Sequence, residues 1–309
     1  TRFAPSPTGK LHLGGARTAL FNYLFSKYNQ GKFFVRIENA DLERSTVDNA
    51  LSIEDSLNWL NIKPSSKIIF QSENINRHIE IANYLVKQGF AYRCYLTNEE
   101  LESLRLKSRK SGMPIKSPYR DDVNSNLKKD HVIRLKMPLN GTTLINDLVQ
   151  SKVSVKNEIL DDMVLLRKDN TSTYMLASVV DDFDMEITHV LRGDDHLNNA
   201  FRQIQILKYL NWPIPFYAHI PLIHGKDGTK LSKRHGTNNV IDYKSMGFEA
   251  LVINNYLLRL GYSINDDKIY NFQEDDFAFS LNKLNKSPSK FDEQKLTSLN
   301  SNYLKNEKI

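Results

Sequence analysis

The chain predicts an α/β fold: a doubly wound, mostly parallel sheet, interrupted by an α+β insertion and followed by a helical C-terminal region. Three observations predict it. Short apolar strands alternate with helices over roughly the first ninety residues. The alternation breaks after about residue 96 into a charged helix, a Pro/Ser/Lys-rich connection and several short strands. It then resumes, and from residue 242 onward only helical patterning remains.

TRFA reads as extended, and KLHLGGARTALFNYLFSKYNQG carries Leu20, Tyr23 and Leu24 at helical spacing before stopping near Gly31. FFVRIE is a strand. STVDNALSIEDSLNWLNI is a helix capped by Ser45 or Thr46, with Asp48 in its first turn. KIIFQS is the next strand, NINRHIEIANYLVKQG a helix closed by Gly89, and AYRCYL a strand continuing the parallel alternation. Residues 97–110 form a charged helix, KSRKSGMPIKSPYRDD connects it onward, and HVIRLKM, GTTLIND, KVSVK and DMVLLRKD are the strands of the insertion. EITHVLRG, DDHLNNAFRQIQILKYL and FYAHIPLI restore strand–helix–strand order, and the flexible loop HGKDGTKLSKRHGTNN ends the sheet. DYKSMGFEALVINNYLLRLGY and FDEQKLTSLNSNYL are the clearest helices of the remainder. The resulting division is 1–96 and 173–241 for the two halves of the sheet domain, 97–172 for the insertion and 242–309 for the helical part.

At 309 residues the chain is long enough for two or three domains with sizeable cores. Its 40% hydrophobic and 25% charged content is that of an ordinary globular protein. No apolar run approaches the roughly 20 residues that span a bilayer, and no charged-then-apolar leader precedes the first motif. Neither membrane insertion nor secretion is expected. Cys94, the single cysteine, excludes an intramolecular disulfide and a multi-cysteine metal site, and a reducing cytoplasm is the expected compartment. The net charge of +6 reads as a lysine-rich surface, or as a site for a polyanion where the cations cluster. The chain opens on Thr1 rather than Met, so at least one preceding residue is expected.

Two turns carry candidate chemistry. The first, Thr8-Gly9-Lys10-Leu11-His12-Leu13-Gly14-Gly15, joins a strand to a helix N-terminus, where backbone N–H groups and the helix dipole favour an anion. Gly14 and Gly15 remove Cβ atoms where a ring or phosphate would press on the backbone, and His12 can donate to a phosphate oxygen. The second, Lys230-Leu231-Ser232-Lys233-Arg234, offers two ammonium groups and a hydroxyl to the charge of a phosphoryl transition state. Taken alone, the first fits a satisfied turn histidine and the second a solvated basic loop. Taken together, they lie at the C-terminal ends of the first and last strands of one parallel sheet, the edge at which such sheets bind ligands.

The pair HLGG and KLSKR resembles the two ATP-binding signatures of class I aminoacyl-tRNA synthetases, whose catalytic domain is Rossmann-like. The context RFAPSPTGKLHLGGARTALFNY, VRIE, VLRGDDH, PLIHGKDGTKLSKRHG and the late segment NKSPSKFDEQKLTSLNSNYL is similar to the bacterial glutamyl-tRNA synthetases over almost the whole chain. The resemblance implies ligation of L-glutamate to the 3′ end of tRNA(Glu) through a glutamyl-adenylate, using ATP with Mg2+. It leaves open whether tRNA(Gln) is also charged. It places Arg2, Ala4, Ser6, Glu38, Tyr174 and Arg192 around the amino acid, with Ser178 and Asp195 close by. Two guanidiniums and a tyrosine hydroxyl suit a substrate with two carboxylates, and Glu38 suits its ammonium. By spacing alone Arg2 and Glu38 fit an inter-strand ion pair equally well, and Tyr174 fits a core aromatic.

The same resemblance assigns His12, Gly14 and Gly15 to ATP, and Lys230, Leu231, Ser232 and Lys233 to its phosphates, with His12, Lys230, Ser232 and Lys233 as the catalytic set. Asp41 and Arg44 fall near the tRNA acceptor end. The insertion becomes an acceptor-stem-binding domain, where Lys107, Arg109 and Lys110 suit RNA backbone, and residues 242–309 become stem-contact helices. The expected protein is a monomer lacking, in this stretch, an anticodon-binding domain. Three departures stand out. Gly15 replaces a second histidine of the first signature. Asn39 and Ala40 replace an acidic residue and a threonine. Leu96 stands where zinc-binding relatives carry a second cysteine, so no structural zinc is expected. Rival readings are a tRNA-modifying relative of the glutamyl-Q tRNA(Asp) synthetase kind, which transfers glutamate to a modified base, a small-molecule nucleotidyltransferase and a non-catalytic tRNA-binding paralogue.

Overall fold

The computed structural model describes residues 1–39, 46–122, 130–231, 239–264, 266, 268–274 and 277–307. Strand β1 (Arg2–Phe3) leads into α1 (Leu13–Tyr28), then β2 (Phe34–Ile37), α2 (Val47–Trp59), β3 (Ile69–Phe70), α3 (Ile75–Lys87) and β4 (Ala91–Cys94). Within α1 the residues Leu13, Ala16, Ala19, Leu20, Phe21 and Leu24 are all buried, the burial of a helix covered on several sides. Thr46, rather than Ser45, caps α2: its hydroxyl accepts from Asn49 N at 3.2 Å, and Ser45 lies outside the described residues.

The insertion holds α4 (Asn98–Ser111), β5 (Val132–Leu135), β6 (Thr142–Asp147), β7 (Ser151–Lys156) and β8 (Val164–Leu166). Helix α4 starts at a reciprocal capping box between Thr97 and Glu100 and ends at Gly112, whose φ of 69° is a left-handed conformation that glycine adopts without penalty. The chain then returns through α5 (Tyr174–Asp184), β9 (His189–Gly193), α6 (Leu197–Tyr209), β10 (Phe216–Ile220) and β11 (Ile223–His224). It ends with α7 (Val240–Ser245), α8 (Ala250–Arg259), β12 (Ser289–Lys290) and α9 (Glu293–Glu307).

The expected doubly wound parallel core is present. β1, β2 and β3 form one parallel ladder and β9 and β10 another, with β1 packed beside β9. The strands therefore run β3, β2, β1, β9, β10 across the molecule; β2 follows β1 directly through α1, whereas β9, on the other side of β1, is reached only after α5.

Four local expectations change. AYRCYL does not extend the parallel sheet: β4 pairs antiparallel with β5, and β5 with β8. Strand–helix alternation fixes an element's type, but its partner is chosen by residues forty positions downstream. FYAHIPLI divides into β10 and β11 at Pro221, which has no N–H for a ladder. DYKSMGFEALVINNYLLRLGY divides into α7 and α8 at Gly247, with φ 82°. Helix α5 forms where the sequence reading found no element. The C-terminal helix α8 packs directly on α1, and their apolar residues share one core. Arg17 of α1, buried, donates NH1 to Leu260 O at 2.8 Å and NH2 to Pro221 O, and burial lowers its pKa to about 10. Among the described residues no helix is long and apolar enough to cross a membrane.

Candidate active site

A cleft of about 600 Å³ opens where β1 and β9 lie side by side, the switch point at which open α/β sheets bind ligands. Arg2, Ala4, Ser6, His12, Gly14, Gly15, Glu38, Tyr174, Arg192, Asp195, Lys230 and Leu231 all line it. Ser178 does not. Ser232 and Lys233, with Asp41 and Arg44, lie outside the described residues. Lys107, Arg109 and Lys110 are exposed on α4 and take no part in the cleft wall.

At one end the turn before α1 is built around His12. It is the helix N-cap, and its Nδ1 accepts from Gly15 N at 3.1 Å. An Nδ1 that accepts leaves the proton on Nε2. Burial, reinforced by the field of Lys230, lowers the imidazole pKa, so the ring is a neutral donor. The two glycines serve the protein's own packing: a Cβ on Gly14 would meet the His12 ring at 3.2 Å, and one on Gly15 would meet Leu11 Cδ1 at 2.9 Å. Lys230 reaches across from the strand-like return after β11, where its Nζ donates to Asp195 Oδ2 at 2.9 Å. Burial opposes ionisation of Asp195, but that hydrogen bond and the nearby His196 and Lys230 hold its carboxyl below the usual range.

At the other end sits a buried charge network. Arg2 Nε donates to both oxygens of Asp182, at 3.0 and 3.1 Å, and among the described residues these are its hydrogen bonds. Arg2, itself buried, lines the cleft. Arg36, fully buried, gives NH1 to the same Asp182 at 2.6 Å and NH2 to Glu38 at 3.1 Å. Asp182 is pushed up by burial, but Arg2 and Arg36 outweigh this and hold it below its ordinary value. Glu38 goes the other way: burial raises its pKa more than Arg36 and Arg2 lower it. Arg2 and Glu38 therefore do not pair with each other; each has its own buried partner. Asp181 accepts from Gln71, Asn74 and His78, each at 2.7 Å, and braces the network from behind.

Arg192 forms the facing wall. Its NH1 donates to Tyr174 OH and to Gln203 Oε1, both at 2.9 Å, and its NH2 to His196 O at 3.2 Å. Ser178 acts one step back: buried, it donates to Tyr174 O and accepts from Gln203 Nε2 at 2.7 Å. The arrangement supplies an anion-binding end with a neutral histidine, a helix N-terminus and a lysine, and a second end with two guanidiniums and a carboxylate. Residues 1–298 match the family of class I tRNA synthetases (E and Q), catalytic domain.

The chain belongs to the class I tRNA synthetases (E and Q). It is 49% identical to a glutamate–tRNA ligase of Caulobacter vibrioides, covering 99% of this chain and 65% of that protein. It is 50% identical to glutamate–tRNA ligase 1 of Sphingopyxis alaskensis, covering 99% and 63%. It thus spans under two thirds of the length of these relatives. A crystal structure of a glutamate tRNA ligase from Elizabethkingia meningosepticum, in complex with its amino acid, superposes with a TM-score of 0.89 at 32% identity, over 98% of this chain and 69% of that one.

In this class I synthetase, sequence reasoning missed Arg36, Asp181, Asp182 and Gln203, which hold the residues it named. A signal existed: two adjacent carboxylates in the apolar run MLASVVDDF, and one arginine inside the strand FFVRIE, are buried charges that require partners. Cys94, the single cysteine, is buried with its thiol 3.3 Å from Ser117 Oγ. Among the described residues no three His, Cys, Asp or Glu side chains group to hold a metal.

Proposed function

We propose that the protein charges tRNA(Glu) with L-glutamate at the expense of ATP. The observation that carries this reading is a single cleft with two differently charged ends: Arg2, Arg192, Tyr174 and Glu38 at one, His12, the α1 N-terminus and Lys230 at the other. Glutamate brings two carboxylates and an ammonium. The guanidiniums and the tyrosine hydroxyl receive the carboxylates, and Glu38 receives the ammonium, whose positive charge offsets the burial that raises its pKa. A neutral glutamine amide leaves a buried arginine short of its anion, which is the basis for rejecting it.

ATP enters as its Mg2+ complex, the metal neutralising phosphate charge. His12 donates from Nε2, the helix N-terminus offers its N–H groups, and Lys230 exchanges Asp195 for phosphate oxygens. Ser232 and Lys233 are assigned to the same phosphates by resemblance. An oxygen of the glutamate α-carboxylate attacks Pα, the bond from Pα to the bridging oxygen breaks, and pyrophosphate leaves. The terminal ribose hydroxyl of the tRNA then attacks the carbonyl carbon, and AMP leaves. The protein positions the reactants and stabilises charge; it forms no covalent intermediate itself. Asp41, Arg44, Lys107, Arg109 and Lys110 are the proposed tRNA contacts.

Labelled pyrophosphate exchange into ATP tests the first step. The resemblance to the glutamyl-tRNA synthetases implies that tRNA must be bound before activation, so we expect exchange only when glutamate and tRNA are both present. Exchange with glutamate in the absence of tRNA, or with another amino acid in place of glutamate, counts against the reading.

A further inference from the structure

Behind Arg192, on the side away from the cleft, runs a chain of groups that no step above uses. Arg192 Nε donates to His219 Nε2 at 3.1 Å, and His219 Nδ1 lies 2.6 Å from Asp147 Oδ2. Both side chains are completely buried. His219 sits on β10, whereas Asp147 is the last residue of β6 in the insertion. The turn after β6 is pinned to β10 at two further points: Leu148 N donates to Tyr217 O at 2.8 Å and Gln150 Nε2 to His219 O at 3.1 Å.

We propose that Asp147 and His219 are positioning residues for Arg192: the carboxylate fixes the imidazole tautomer, and the free Nε2 lone pair aims the guanidinium. The proton count allows one arrangement. Arg192 Nε can only donate, so His219 Nε2 must be the acceptor, and the ring proton is on Nδ1, donated to Asp147. Asp147 is committed to this state, because Oδ1 already accepts from Val149 N at 2.9 Å, Gln150 N at 2.8 Å and His219 N at 3.2 Å. With Nε held, the NH1 and NH2 groups of Arg192 are fixed on Tyr174, Gln203 and His196 O at the cleft wall. A hairpin of the insertion thereby helps set the geometry of the amino-acid end. The inference rests on the proposed reading of that end as the glutamate site.

Three variants test it in the full-length protein. In Asp147→Asn the three backbone donors keep the amide oxygen at the Oδ1 position, so an N–H faces His219 Nδ1. The ring must then carry its proton on Nε2, donor against donor at Arg192, the kind of tautomer error that leaves geometry intact and function impaired. His219→Asn keeps the bond to Asp147 but loses the acceptor for Arg192, whereas His219→Gln keeps that acceptor. We expect D147N and H219N to raise KM for glutamate about tenfold or more. KM for ATP should stay within about twofold in both, and H219Q should lie nearest the wild type. Unchanged glutamate KM in folded D147N and H219N overturns the proposal. So does a parallel rise of both KM values, which marks a merely structural role. Nitrogen-15 shifts of His219 give a readout that needs no turnover. If the wild type fails to charge tRNA at all, the functional reading falls on its own, and an Nε2-protonated His219 in the wild type overturns the relay.

Discussion

Asp182→Ala destabilises the fold by about 3–5 kcal/mol, the loss expected when one partner of a buried ion-pair network is removed. Asp182 is the shared anion of Arg2 and Arg36, and both guanidiniums are buried. Truncating it removes three hydrogen bonds and leaves two positive charges out of water with one compensating carboxylate fewer. Glu38, already raised by burial, cannot serve both arginines. Urea denaturation followed by circular dichroism measures the loss, and a change below about 1 kcal/mol would place the network outside the folding energetics. The same variant changes acid stability in a defined direction. The folded-state pKa values of Asp182, Asp181 and Asp147 all lie below their ordinary values. Such groups contribute stability that is present above the unfolded carboxylate pKa and lost as pH falls through the lower folded values. D182A removes one of the three, so its stability declines less steeply on acidification than that of the wild type.

Arg192→Ala lowers kcat/KM for glutamate by about 10²-fold or more, in the range for truncating one member of a buried, hydrogen-bonded charged cluster at a binding site. Arg192 binds Tyr174, Gln203, His196 and His219 at once, so its removal also frees Tyr174, the other donor at that wall. ATP binding should change little, because the His12 turn and Lys230 are held by α1 and the β11 return rather than by Arg192. Steady-state kinetics with each substrate varied in turn separate the two. A loss shared equally between glutamate and ATP would contradict the division of the cleft into two ends.

Much of this site is legible in the chain because its parts are local. The turn from Thr8 to Gly15 declares itself through a histidine, two glycines and a helix start, and the structure explains each by contacts within four residues or by Leu11 and Phe3. The parallel core is legible for the same reason, since strand and helix periodicities are short-range signals. What holds the named residues in place is not local. Arg36 and Asp182 meet across 146 positions, and Arg2 and Asp182 across 180. Nothing in either neighbourhood points to the other. Helix α5, which carries Tyr174, Ser178, Asp181 and Asp182, is masked in the sequence by the run Asn170-Thr171-Ser172-Thr173 that directly precedes it. Ser178 was drawn toward the substrate by resemblance, yet its hydroxyl is spent on Tyr174 O and Gln203, and it supports the wall from behind. The strand β4 shows the complementary limit: its length and burial are visible in AYRCYL, but its antiparallel partner is set by tertiary pairing.

The most direct test is the destination of the glutamate. The full-length protein is incubated with ATP, labelled glutamate and the tRNA acceptors, and the product is digested to locate the label. Label on the 3′-terminal ribose of tRNA(Glu), dependent on ATP and released by mild alkali as an ester is, is the predicted result. Label on an internal base, or none on tRNA while glutamate is still adenylated, would contradict it.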